Sequence, residues 1–349
     1  MSKVSVLKTS PANVINDYSK LMDLAEYKKF VKKENETILK LNLSWSLYYP
    51  ACSTEPWQLD GVLKKLKNDN YSNLHAVENE TVVTDVIKGL KQNKWKNVLK
   101  RYNLKFEPLT KVEWVKFKPK KELLALNEIF PEGNYIPKMF IGKNVVHFPT
   151  VKTHGHTQMT GAMKNAFGGL ITKKRHHCHK KIHEVIVDLL TIQKEIHPGI
   201  FAVMDGTVAG DGAGPRTMIP KIKNYILASG DQVAIDAISA KMMGYDPMKI
   251  KFIKKAHDLG LGCGDVSQID IVGEDISKVN FHFKTNKSPV VFWDQMFRKG
   301  ALSFVEPLLF HTGLFKSAVF GSAFYHDYLW YPTVGKSRVN KFMKLILIA

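Results

Sequence analysis

Side chains able to do chemistry crowd one stretch of the chain, residues 147–215. Lys152 and His154 occupy alternate positions of Lys152-Thr-His-Gly-His156, so in an extended segment they point the same way. Together they could hold an anion, or set a base beside a cation; a surface turn with incidental histidines is the plainer alternative. In Thr160-Gly161-Ala-Met-Lys164-Asn165-Ala-Phe-Gly168-Gly169, Thr160 stands as an N-cap, Lys164 lies one turn into a helix, and Gly-Gly makes the exit. A helix start beside a lysine suits an anion. The Gly-Lys-Ser/Thr order of a Walker A loop is missing.

His176, His179 and His183 are spaced i, i+3, i+7, which on an α-helix gives one shared face. Three readings stay open: a divalent metal held by two of them plus an outside ligand, a catalytic or substrate contact through one of them, or a solvated helix start. His183, nearest the apolar stripe, is the favoured single contact. The His-Glu-x-x-His spacing of zinc proteases is absent, because His183-Glu184 is followed by Val187. Asp188 sits among Val185, Ile186, Val187, Leu189 and Leu190, so it needs a partner or a raised pKa. Val203-Met-Asp205-Gly-Thr-Val-Ala-Gly-Asp-Gly212-Ala-Gly214-Pro reads as a strand tipped by Asp205 and followed by a glycine-rich loop. Asp205 is the catalytic or metal-ligating candidate there, and Asp211 a turn former. No GxGxxG dinucleotide fingerprint is present. Asp231 fits a helix N-cap, while Asp236, one turn inside an apolar helix, needs a buried partner.

These residues must be positioned by an α/β scaffold. Glu36–Leu43, Asn73–Val77, Leu104–Leu109, Lys111–Lys118, Asn144–Phe148, Gly199–Met204, Tyr225–Ser229 and Ile269–Val272 read as strands. Pro56–Lys67, Val82–Tyr102, Ile182–Ile196, Gln232–Met243 and Pro247–Leu259 read as helices. The rhythm predicts a mostly parallel sheet covered by helices and arranged in two lobes, with ligands at the carboxyl ends of strands. Residues 1–140 are expected to form an N-terminal α/β lobe, 141–285 the core with the site loops, and 286–349 an aromatic-rich, helical C-terminal extension. Phe304–Tyr331 holds no clean apolar run long enough to span a membrane, being broken by Glu306, Pro307, His311, Lys316 and Asp327. A helical cap, an oligomer contact, or a contact with a membrane surface are its candidate roles.

The chain has 349 residues, 44% of them hydrophobic, and a formal charge of +19. Length and composition suffice for a large core and argue against disorder. Of 51 basic residues only Arg101, Arg175, Arg216, Arg298 and Arg338 are arginines. Readers of bases and phosphates lean on arginine, so charge alone does not indicate nucleic acid. Most lysines read as solvated faces, with an electrostatic funnel for an anionic substrate as the alternative. Cys52, Cys178 and Cys263 are too few for a disulfide framework or a four-thiolate site. A cytoplasmic location is expected, since the N-terminus also lacks an apolar signal core.

Lys152-x-His154, Thr160-Gly161-Ala-Met-Lys164-Asn165-x-x-Gly168, Asp188-Leu, Asp205-Gly206 with Gly212-x-Gly214-Pro215, Ala228-Ser-x-Asp231-x-Val-Ala-x-Asp236 and Met243-Gly244-Tyr-Asp246-Pro247 resemble the DUF362 family over roughly residues 145–273. A fainter echo is Lys40-x-Asn42-Leu43 with Thr54-x-Pro56. The resemblance implies an α/β domain of unassigned activity. Many relatives carry a ferredoxin-like cluster segment with closely spaced cysteines. This chain has no Cys-x-x-Cys, which argues against an iron–sulfur cluster. Two functions are expected to compete. One is an enzyme acting on a small anionic or carbonyl-bearing substrate: Lys152 and Lys164 hold the anion, His154 or His183 exchanges protons, and Asp205 orients the substrate or binds a metal. Thr160, Gly161, Asn165, Gly212, Gly214, Asp188 and Asp236 would complete its binding site. The other is a non-catalytic binding or electron-transfer accessory protein that uses a partner's cofactor, with self-association through the C-terminal region also open.

Overall fold

Alternation along each strand sends its side chains into two separate cores. Ile38, Val145, Ala202, Met204 and Leu227 belong to one buried cluster, and their neighbours Leu39, Val146, Phe201, Val203 and Ile226 to the other. A sheet apolar on both faces must be covered on both, which explains why these strands read as continuous apolar runs. The computed structural model describes residues 1–348. Its strands are β1 (Ser2–Lys8), β2 (Thr37–Lys40), β3 (Leu74–Glu78), β4 (Phe106–Pro108), β5 (Trp114–Phe117), β6 (Asn134–Pro137), β7 (Asn144–His147), β8 (Thr150–His154), β9 (Gln158–Met159), β10 (Ile200–Ala213), β11 (Thr217–Ser229) and β12 (Ile269–Gly273). Its helices are α1 (Val14–Leu24), α2 (Pro56–Asn68), α3 (Val86–Gln92), α4 (Trp95–Arg101), α5 (Leu126–Ile129), α6 (Ala162–Asn165), α7 (Phe167–Leu170), α8 (Ile182–Ile196), α9 (Gln232–Met243), α10 (Lys251–Asp258), α11 (Pro289–Lys299), α12 (Glu306–Phe310), α13 (Phe315–Ala323) and α14 (Lys336–Ile348).

One sheet runs in the order β12-β1-β11-β10-β7-β2-β3-β4, with β8 also paired to β10 and β9 to β8. The β10-β7-β2-β3-β4 run is parallel, as is β12-β1, whereas β11 lies antiparallel to both β1 and β10. β5 and β6 form a separate hairpin. Helices α1, α2 and α4 contribute to one core, and α8, α9 and α10 to the other. The strand β7 pairs with β2 on one side and β10 on the other, so the sheet is continuous across residue 140. α8 and α9 occupy the spans expected from their apolar periodicity. Asp231 caps α9 as expected, accepting from the N–H groups of Val233 and Ala234.

Three expectations are corrected. The glycine-rich segment after Asp205 is not a loop: β10 continues to Ala213, paired residue by residue with β11. Gly210 is there for close packing, since a Cβ on it would lie 2.3 Å from the Met218 sulfur, whereas Gly212 is there for its positive φ. Asp205 therefore lies within the strand, at a register shift between Gly206 and Val208, rather than at its tip. The expected helical region 82–102 resolves into two helices, separated at Asn93 and by Lys94, which has φ +61°. The stretch after β7 is not a plain loop either, because β8 and β9 form a small hairpin against β10. The N-terminal β1 and α1, unforeseen from the sequence, put an extra strand between β11 and β12.

Two glycines beside this hairpin should respond differently to alanine. Gly212 has φ +92° but open space around a Cβ, so G212A is expected to cost about 1 kcal/mol from backbone strain alone. At Gly214 a Cβ would lie 1.8 Å from the Thr153 carbonyl oxygen, so G214A should cost about 3 kcal/mol or more. Urea denaturation of both variants checks the ranking.

Candidate functional site

The C-terminal helices close over the end of the sheet, and a cavity of about 600 Å³ lies beneath them. The core contributes Lys40, Glu78, His154, His156, Thr160, Gly161, Lys164, Asn165, Arg175, His179, Gly214 and Arg216. The cap contributes Val291, Trp293, Phe297, Arg298, Phe310, Phe315, Val319 and Tyr325. α11 is seated on the β8–β9 turn: the Gln295 amide donates to the Gly155 carbonyl at 2.8 Å. Only glycine fits at 155, because a Cβ would meet Val291 Cγ1 at 2.6 Å. The cavity thus has a polar, cationic side built by the core and a mostly apolar, aromatic side built by the cap, to which the Asp294–Arg298 pair is added.

Its charges do not balance. Five basic side chains line it, Lys40, Lys164, Arg175, Arg216 and Arg298, against two carboxylates, Glu78 and Asp294. Lys40 is committed to Glu78 at 2.8 Å, and Arg298 to Asp294 at 3.0 Å with its guanidinium over the Phe310 ring. Arg216 donates to the Ser44 carbonyl at 2.9 Å. Arg175 is buried, and its Nε and Nη2 find no hydrogen-bond partner among the described residues. Its pKa is pushed down to about 10 by burial. The Lys164 ammonium has no hydrogen-bond or ion-pair partner there either; its one polar contact is with the Phe167 ring, 5.5 Å away. Burial, with Lys152 and Arg175 adding to it, lowers its pKa to about 7. Unpaired buried cations are costly unless an anion completes them.

Imidazoles form a second group. His156 stacks on His179 with centroids 4.8 Å apart, and His154 lies 5.8 Å from His156. Burial first, then the nearby Lys164 cation, holds His154 well below its ordinary pKa. His156 is pushed down to about 4 by burial, so both rings are neutral near pH 7. The His156 N–H donates to His154 Nδ1 at 3.2 Å, which assigns the proton of a neutral His154 to Nε2. Asn165 donates its amide to the Lys40 carbonyl at 2.9 Å, tying α6 to β2.

Six of the residues expected from sequence therefore share the cavity: His154, Thr160, Gly161, Lys164, Asn165 and Gly214. The others lie elsewhere. Lys152 is buried, donating to the Cys52 carbonyl at 2.6 Å and Thr150 Oγ1 at 2.9 Å, and its pKa falls to about 8 through burial. Asp205 accepts from Tyr18 at 2.5 Å, from Trp57 Nε1 at 2.9 Å, and from the Thr207 N–H and hydroxyl, joining α1, α2 and β10. Asp188 accepts three backbone N–H groups, from Leu124, Ala125 and Leu126. Asp236 accepts those of Ala162 at 2.6 Å and Met163 at 3.1 Å. The helix start read as an anion site is thus filled by the protein's own carboxylate, which also explains Gly161: a Cβ there would meet Asp236 Oδ1 at 2.1 Å. Gly212 joins its carbonyl to the Asn286 N–H, outside the lining. His183 packs on Phe252 of α10, 6.0 Å between centroids. The three-histidine face does not form: His176 and His179 lie three residues apart on the 3₁₀ helix Lys173–Lys181 and both line the cavity, whereas His183 belongs to α8 and lies outside it. Among the described residues, no three His, Cys, Asp or Glu side chains are grouped to hold a metal ion.

His176 and His179, offered in the sequence as possible metal ligands or substrate contacts, also line the cavity. Arg175, His156 and the whole cap were missed as site components. One signal was available: in a chain whose basic residues are nearly all lysine, three of the five arginines line this cavity.

Comparison with known proteins adds kinship but no chemistry. The family DUF362, described as a domain of unknown function, matches residues 37–241. A thylakoid-associated protein of Synechocystis is 29% identical over 121 residues, which cover 34% of this chain and 37% of that protein. The chain thus spans little more than a third of that relative's length. No solved structure matches.

The unpaired guanidinium generates a prediction. Arg175→Met should leave the apo protein as stable or about 1 kcal/mol more stable in urea, because it removes a buried cation lacking a full set of partners. A less stable variant would show instead that Arg175 serves the fold.

Proposed function

This chain belongs to the DUF362 family, a domain of unknown function, and we propose that it is an enzyme that binds a small carbonyl-bearing anion with an apolar body and exchanges a proton on it. The observation that carries this reading is the cavity beneath the cap, where unpaired Arg175 and Lys164 face apolar cap residues. Arg175 holds the anionic group, and Trp293, Phe297 and Phe310 cover the apolar body. Lys164, with a pKa of about 7, is populated in both protonation states near neutrality and suits the giving and taking of a proton. In the proposed step, neutral Lys164 takes a proton from the carbon beside the carbonyl. The electron pair moves to the carbonyl oxygen, and the Nε2–H of His154 donates a hydrogen bond to the resulting enolate. Reprotonation by the Lys164 ammonium completes the exchange. Asp205 and His183 have no part in this chemistry, since both are engaged away from the cavity. The three cysteines are free, which supports a reducing, cytoplasmic setting.

Phenylpyruvate, an aromatic 2-oxo acid, is a suitable probe. Wild type is expected to speed deuterium exchange at its C3 carbon in heavy water, followed by NMR, about 100-fold over Lys164→Met. If both proteins bind phenylpyruvate and exchange it at the same rate, the catalytic reading fails and a non-catalytic binding module remains.

Binding should also depend on pH with a definite sign. A bound anion favours the Lys164 ammonium, so the complex holds a proton that the free protein loses above about pH 7. Affinity should be greatest at low pH and fall by up to about tenfold per unit above that pKa. Lys164→Arg, permanently charged, should bind phenylpyruvate with little change to roughly pH 9. Calorimetry across that range checks it.

A further inference from the structure

The C-terminal cap has a polarity opposite to that of an ordinary surface helix. From Phe315 the chain stays helical through α13, a wide π-helical segment (Phe324–Gly335) that accommodates Pro332, and α14. Polar and aromatic residues of this rod turn inward: Asp327 accepts from the Trp45 indole at 2.6 Å, Tyr331 donates to the Tyr48 carbonyl at 3.1 Å, and Arg338 donates to the Met218 carbonyl at 2.9 Å. Trp330 and Phe342 pack with Trp45 and Tyr49 in the same buried cluster. Outward stand Phe320 (70% exposed), Phe324 (52%) and Tyr328 (73%). Their rings form a continuous stack, with centroids 6.3 Å apart at each step. Lys316, one α-helical turn before Phe320, is exposed and continues the stripe.

We infer that this outward aromatic stripe, with its flanking lysines, docks on the surface of an anionic lipid bilayer. The charge of the cap selects this occupant. Its three carboxylates are already engaged, Asp294 by Arg298, Glu306 by Lys180 and Asp327 by Trp45. Lys299, Lys316, Lys336 and Lys341 are exposed, so the free side-chain charge of the cap is cationic. Rings at the headgroup level and lysines toward anionic headgroups are the pattern of an interfacial helix. No helix among the described residues is long and apolar enough to cross a membrane, which leaves attachment at the surface. A second copy of the chain is the poorer occupant. A two-fold contact through the stripe would bring together two caps whose free charges are lysines, in a protein of formal charge +19, with no free carboxylate on the cap to offset them. Docking here would also bring the cavity under the cap to the membrane surface. The inference does not depend on the proton-transfer reading.

The full chain is tested by flotation with phosphatidylcholine vesicles, with and without phosphatidylglycerol. Wild type is expected to bind the anionic vesicles about tenfold or more tightly than the neutral ones, and to be released by high salt. The triple substitution F320S, F324S and Y328S should lose most of that binding, and Lys316→Glu several-fold, while thermal melts stay unchanged because these side chains are exposed. Absence of vesicle binding by wild type would overturn the inference. So would equal binding by the triple variant. A wild-type dimer in light scattering that the triple substitution converts to monomer would assign the stripe to a second copy instead.

Discussion

The organising constraint of this molecule is the burial of cations without enough anions to match them. Arg175 is buried and Lys164 partly buried, beside an already paired Lys40. Such an arrangement opposes folding, and it persists only because the surrounding structure is over-determined. Two large apolar clusters on opposite faces of one sheet supply that surplus. The low dielectric that makes the unpaired charges costly also makes them effective: an anion entering the cavity meets donors that water has not satisfied. The apolar wall and the depressed lysine pKa are thus two consequences of one enclosure.

The cap is what creates that enclosure. Its inner face is fastened by directional contacts, the Trp45–Asp327 hydrogen bond and the Gln295–Gly155 hydrogen bond among them. Its outer face keeps rings in solvent. A segment that satisfies its polar groups inward and displays apolar ones outward is under two sets of demands, one from the core and one from what lies outside. The cavity sits beneath the inner face, so any movement of the cap would alter the cavity and the outer surface at once.

Much of the scaffold was legible in the order of residues. α8 and α9 were readable to their last residue, because apolar periodicity, an Asp231 cap and a closing Gly244 are all local signals. Within the dense polar run from Lys152 to Asn165, His154, Lys164 and Asn165 lie in the cavity wall, while Lys152 is tied into the strand β8 itself. The glycine segment after Asp205 misled for a physical reason: glycine serves both loops and strands that must pass close to a neighbour, and only the presence of Met218 across the hairpin distinguishes the two. The C-terminal cap could not be joined to the site from sequence, since its contacts bridge residues such as Trp45 and Asp327 that lie 282 positions apart.

The aspartates mark the boundary most sharply. By itself the sequence determined that Asp188, Asp205 and Asp236 lie among apolar neighbours and must each find partners, because an isolated buried carboxylate is not stable. It equally determined the family kinship and the α/β rhythm, which are patterns along the chain. Only the tertiary structure decided what the partners are. All three carboxylates are satisfied by the protein's own hydrogen-bond donors, Asp236 across 74 residues and Asp205 across 187 to Tyr18. Arg175 and Lys164, by contrast, are left for a ligand. Residue type states what a buried charge requires; the three-dimensional packing of distant segments settles whether the fold meets that requirement or leaves it open for chemistry.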